Sequence, residues 1–163
     1  MASANVTRAS VAVIAGLHAA LFSAGTPAQA EVQSKRPNVV IILGDDLGFA
    51  DLGSFGSEIK TPNLDNLARE GVRFANFYTH ASCSPTRSIL LSGVDTHLNG
   101  LGNMSEWTAP NQRGAVGYEG YLNHRVATLP QLMKDAGYHT YMVGKWHLGK
   151  QPDQIPAARG FER

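Results

Sequence analysis

The sequence has 163 residues, 43% hydrophobic and 17% charged, a balance that fits one globular domain and excludes a disordered or fibrous chain. Its formal net charge is +1, with lysine and arginine scattered singly, so it lacks the basic footprint of a nucleic-acid binder and nucleic acid is excluded as a partner. A single cysteine, Cys83, excludes an internal disulfide.

Residues 1–30 carry a positive charge at Arg8, an apolar stretch over 10–22 and the small-x-small triplet Ala28-Gln29-Ala30, the pattern of a signal peptide cleaved after Ala30. The apolar stretch is too short to cross a hydrocarbon core of roughly 30 Å as a helix, so no stable membrane anchor is expected after cleavage. The expected location is periplasmic or secreted. After a polar linker, 31–37, the continuous β-branched run 38–43 predicts an internal parallel strand covered on both faces. Gly44-Asp45-Asp46 then places two carboxylates at the strand's carboxyl end, where open α/β sheets bind their ligands.

Residues 48–60 are glycine-rich and aperiodic, and predict a loop. Thr61 and Pro62 open a helix as N-cap and first position, Gly71 closes it, and Leu64, Leu67 and Ala68 form its apolar face. A second strand is expected over 72–78, and a turn over 79–82 leads to Cys83. Residues 86–91 read as a helix, with Pro85 in its first turn and Gly93 at its end, which sets Cys83 just ahead of a helix amino terminus. The stretch 95–124, rich in Gly, Asn and Pro, reads as a long surface excursion. A second threonine-capped helix, 128–136, ends at Gly137, and a strand over 138–143 delivers Gly144-Lys145-Trp146-His147 to another strand end.

Strand, loop, helix, strand is the order of an α/β layered fold, and it sets Asp45-Asp46, residues 83–87 and residues 145–147 on one edge of the sheet. Residues 157–163 carry no stop signature, and so few strands would leave apolar edges bare, so more chain is expected to follow.

Several readings of these clusters stand side by side. Cys83, in an exported protein, is a buried apolar thiol, an intermolecular cross-link, a reactive nucleophile, or a residue that does not remain cysteine. Pro85 and Arg87 read as polar-turn residues rather than core packing, which counts against the buried thiol. Asp45 and Asp46 are a solvated turn pair, or two repelling carboxylates best stabilised by a hard dication. Lys145 and His147 are a solvated strand end, or two groups put on one face by their spacing of two, with Trp146 pointing to the core. His80, His97, His124 and His139 fall in no comparable pattern.

Cys83-Ser84-Pro85-Thr86-Arg87 followed by a helix, Gly44-Asp45-Asp46-Leu47-Gly48, Thr61-Pro62-Asn63-Leu64-Asp65 and Gly144-Lys145-Trp146-His147-Leu148-Gly149 occur in the order found in type I sulfatases. The region from Arg36 onward most resembles bacterial arylsulfatases. The resemblance implies an alkaline-phosphatase-like α/β layered fold with a mostly parallel central sheet, of which residues 38–163 would be the N-terminal portion.

It also implies that Cys83 is oxidised to formylglycine by a modifying enzyme. One hydroxyl of the aldehyde hydrate attacks the sulfur of a small sulfate ester, and the other loses its proton so that sulfate leaves and the aldehyde re-forms. By the same resemblance Asp45, Asp46 and position 83 bind calcium, Arg87 holds the nucleophile's oxygen, Lys145 contacts sulfate and that oxygen, and His147 bonds the hydrate and is the base for elimination. A further Asp-Asn metal pair, a His and a Lys are expected beyond Arg163, so the 163-residue chain alone is expected to be inactive. The competing functions are a phosphonate or phosphate monoester hydrolase of the same superfamily and a catalytically incomplete, non-enzymatic fragment.

Overall fold

The computed structural model describes residues 36–163. The expected signal peptide and most of the expected linker lie outside the described residues. The chain divides into two compact units, Met1–Ile42 and Leu43–Arg163. In the first, the described residues 36–42 run without helix or ladder, and the apolar side chains expected to be covered on both faces are open, Val40 at 80% and Ile42 at 75% exposure. The described residues thus do not confirm the buried strand: a continuous apolar run becomes an internal strand only when neighbouring strands and helices cover it.

Within the second unit four α-helices follow one another: α1 (Pro62–Glu70), α2 (Cys83–Ser92), α3 (Thr96–Asn99) and α4 (Leu129–Asp135). Single 3-10 turns occupy Gly53–Phe55, Ser105–Trp107 and Pro156–Arg159. No β-ladder is present among the described residues, so the central sheet is not formed by them. Residues 72–78 stay unladdered, with Val72, Phe74, Phe77 and Tyr78 exposed. Residues 138–143 find a partial partner in the chain end: the Met142 amide donates to Arg163 O at 2.7 Å and the Glu162 amide to Thr140 O at 2.8 Å.

The helices begin and end largely where capping chemistry places them. Thr61 precedes α1 with Pro62 at its first position, and Gly71 follows its last residue. The Thr61 hydroxyl accepts from the Gly53 amide at 2.8 Å and donates to Asp65 Oδ1 at 2.8 Å, while Asp65 Oδ1 also accepts from the Ser54 amide at 2.7 Å. The Thr61–Asp65 pair thereby fastens the preceding loop to the helix. The apolar face expected of Leu64, Leu67 and Ala68 is not covered, since no residue of α1 is buried. At α4 the Thr128 amide donates to Gln131 Oε1 at 3.0 Å, and the Thr128 hydroxyl donates to Arg159 O at 2.7 Å.

The excursion expected over 95–124 instead supplies two of the three wholly buried core leucines. Leu101, Leu122 and Leu148 are wholly buried together, with Leu91, Val126 and Trp146 packed on them. The irregular backbone is satisfied internally: the Gly102 amide donates to Gly117 O at 2.8 Å, the Asn123 amide to Asn99 O at 2.9 Å, and the Leu122 amide to Leu148 O at 2.9 Å. Gly100, at φ +97°, is where the chain folds back on itself, and a Cβ there would lie 2.6 Å from Tyr121 O. Arg159, 2% exposed, donates to Leu122 O, Asn123 O and Val126 O, each at 3.1 Å, and so holds this region from behind. The Leu122–Leu148 contact matters for the site, because Leu148 follows His147 directly.

Candidate active site

Cys83 is the first residue of α2 rather than a residue ahead of it, with Ser82 as an extended N-cap. The helix puts Arg87 one turn beyond Cys83, on the same face. That first turn is packed, not a polar turn: Ser84, Pro85, Arg87 and Ser88 are all buried, which corrects the expectation for Pro85 and Arg87. The Ser88 hydroxyl donates to Pro85 O at 2.8 Å and accepts from Asn99 Nδ2 at 2.9 Å, so α3 braces the turn. Cys83 itself stays half-buried at its rim.

Arg87 reaches two other segments. One guanidinium nitrogen donates to Lys145 O at 2.6 Å and the other to Asp45 Oδ1 at 3.2 Å. Lys145 Nζ lies 3.1 and 2.9 Å from the two oxygens of Asp45. This Lys145 contact is the main reason the Asp45 carboxyl is held below its ordinary range; desolvation opposes it and Arg87 reinforces it. The Lys145 ammonium is pushed up in turn, first by Asp45, with the Cys83 side chain adding in the same direction.

On the other side of the cluster the Cys83 thiol faces Asp46 Oδ1 at 3.9 Å. One ligand atom from each of Asp45, Asp46 and Cys83 lies within 4.8 Å of the others. Two atoms bound to one calcium ion at 2.3–2.6 Å can be at most about 5 Å apart, so this spacing fits a shared hard cation.

Five sequence-predicted residues, Asp45, Asp46, Cys83, Arg87 and Lys145, are thus brought together from three segments far apart in the chain. His147 is not joined to them by any hydrogen bond among the described residues. Its Nε2 lies 2.8 Å from Glu106 Oε1. The expectation that Lys145 and His147 share a face assumed extended chain, but Gly144 is at φ +99° and His147 at φ +60°. At His147 the backbone therefore leaves the extended form on which that alternation depends. Trp146 does pack on the core as expected, edge-on to Phe161 and donating to Gln154 O at 2.9 Å.

Asp46, at φ +56°, and His147 are the non-glycine residues of left-handed backbone among those described. Such conformations are costly and persist where surrounding structure enforces them. Both fall in the motifs that the sequence singles out. Glu106, by contrast, carries no motif signal, since it lies in the aperiodic stretch 95–124. Elsewhere His97 meets Tyr118, His124 meets Asp153 and His139 meets Glu162, surface pairings away from the cluster.

Residues 37–163 match the Sulfatase family. An uncharacterized sulfatase of Schizosaccharomyces pombe is 55% identical over 135 residues, covering 81% of this chain and 24% of that protein. The arylsulfatase of Klebsiella aerogenes is 46% identical over 129 residues, covering 79% of this chain and 27% of that protein. The crystal structure of Ps i-CgsB superposes with a TM-score of 0.65 at 35% identity, covering 78% of this chain and 27% of that one. The chain spans about a quarter of the length of the curated relatives it matches. With the motif residues gathered as described and this match over most of its length, the chain belongs to the sulfatase family.

Proposed function

We propose that the complete protein hydrolyses sulfate monoesters, aryl sulfates among them, at position 83. The observation that supports this most is the meeting of Asp45, Asp46, Cys83, Arg87 and Lys145 around one small volume. Such a cluster sets cations and carboxylates around a nucleophile position, which is what displacement at a sulfate ester requires. The likeness to the Klebsiella aerogenes arylsulfatase favours aryl esters as the first substrates to test.

Each residue takes a part that follows from its chemistry. Cys83, converted to formylglycine by a modifying enzyme, supplies a hydrated aldehyde: one hydroxyl attacks sulfur as the substrate's alcohol leaves, and the other then gives up its proton so that sulfate is expelled and the aldehyde re-forms. Asp45 and Asp46, with the oxygen at position 83, would hold calcium, which when bound offsets negative charge on the reacting oxygens. Lys145 carries a protonated amine into the cluster to hold the nucleophile's oxygen and the sulfate. Arg87, planar and permanently charged, fixes that group's orientation through its fork while tying Asp45 to the Lys145 backbone. His147 is the group for proton transfer in the release step. Export to the periplasm or beyond, by way of the leader read in residues 1–30, belongs to the same proposal.

The test is release of sulfate from p-nitrophenyl sulfate by the complete gene product, with p-nitrophenyl phosphate in a parallel arm. The sulfate ester is expected to turn over far faster, Cys83→Ala to abolish turnover, and chelation to reduce it with recovery on adding calcium. Preference for the phosphate ester, or full activity in Cys83→Ala, would reject the proposal.

A further inference from the structure

Glu106 sits on the 3-10 turn Ser105–Trp107, which is tied at several points. The Trp107 amide donates to Met104 O at 3.0 Å, the Thr108 hydroxyl donates to the same oxygen at 3.2 Å, and Asn103 Nδ2 donates to Trp107 O at 2.9 Å. Met104 is buried beneath it. The carboxylate itself is held at both oxygens: Oε2 accepts from the Ser105 hydroxyl at 2.9 Å, and Oε1 lies 2.8 Å from His147 Nε2. Its own backbone amide, above all, keeps this carboxyl below the usual range, against partial desolvation and with help from Ser105 and His147.

An ionised carboxylate can only accept hydrogen bonds, so the nitrogen facing it must carry the proton. The other ring nitrogen, Nδ1, is buried and has no partner. In the neutral ring it is the acceptor, and no hydrogen bond from the protein uses that lone pair.

We propose that Glu106 is a positioning residue for His147, fixing the ring with its proton on Nε2 so that Nδ1 is the atom that takes a proton in the reaction. A carboxylate behind a histidine sets the tautomer and the ring orientation in this way wherever the imidazole must act through its other nitrogen. The proposal rests on the sulfate-ester reading for the step that His147 serves, but the tautomer is a property of the pair itself.

The experiment uses the complete gene product labelled with 15N-histidine, His147 being assigned from a His147→Ala spectrum, alongside steady-state kinetics on p-nitrophenyl sulfate. The wild type is expected to show His147 protonated on Nε2. Glu106→Leu is expected to lose that fixed tautomer and to lower kcat by about 10- to 100-fold, with KM changed by less than about threefold. In Glu106→Gln, whose amide can donate or accept, a mixture of tautomers and an intermediate kcat are expected, and this variant carries the test if Glu106→Leu does not fold. An unchanged Nε2–H tautomer in both variants, or an unchanged kcat with the tautomer lost, overturns the proposal. If the wild type hydrolyses no sulfate ester while the tautomer still depends on residue 106, the functional reading fails and the Glu106–His147 positioning stands.

Discussion

Asp45 accepts from both Lys145 and Arg87, and its behaviour follows from that pairing. With its folded carboxyl held below the ordinary 3.8, the unfolded chain binds the proton first as pH falls. The pairing therefore contributes fully above about pH 4, and its contribution is lost as pH drops through the lowered folded value. In metal-free protein, Lys145→Met is predicted to raise the Asp45 carboxyl toward 3.8, followed by carbon-13 titration of aspartate; an unmoved titration would show that the contact does not form. The same substitution is predicted to lower kcat/KM by about 100- to 1,000-fold in the complete protein, as expected for loss of a charge aimed at the reacting group. Asp45, Asp46, Cys83, Arg87 and Lys145 were legible in the sequence because each lies in a compact polar cluster at the end of an apolar or helical segment. Glu106 was not, because its partner lies in a motif but it does not; only the folded backbone brings the two together.

Among the elements, α1, α2 and α4 follow from local chemistry, since threonine or serine before a proline-containing first turn, and glycine or a tight turn at the end, set their limits within a few residues. The stretch 95–124 does not follow from local chemistry. Its Leu101 and Leu122 obey neither a helical nor a strand period, and its backbone is satisfied by buried polar groups such as Asn99 and Asn123, which read as surface residues in a sequence. Leu122→Ala is predicted to destabilise by about 2–5 kcal/mol, because a wholly buried side chain is replaced by a cavity. Arg159→Met is predicted to cost about 3 kcal/mol by leaving carbonyls of Leu122, Asn123 and Val126 without a donor. Denaturant unfolding checks both, and losses below about 0.5 kcal/mol would place these residues outside the core.

Across the whole molecule the sheet is the feature that the sequence implies and the described residues do not form. β-branched runs report a preference for a covered, extended environment, and the cover comes from partners that the run does not encode. Here Val40, Ile42, Val72, Phe77 and Val143 remain exposed. A chain of residues 31–163 produced alone is predicted to bind a hydrophobic dye and to associate at micromolar concentration, seen by sedimentation, whereas a monodisperse monomer would show that these segments find their own cover.

The chemistry of the complete protein depends on what stands at position 83 when it works. Mass spectrometry of the peptide spanning Cys83, from active protein made in its native host, measures this directly. The mass loss of thiol-to-aldehyde conversion is the predicted result. An intact, alkylatable thiol in protein that still releases sulfate would contradict it.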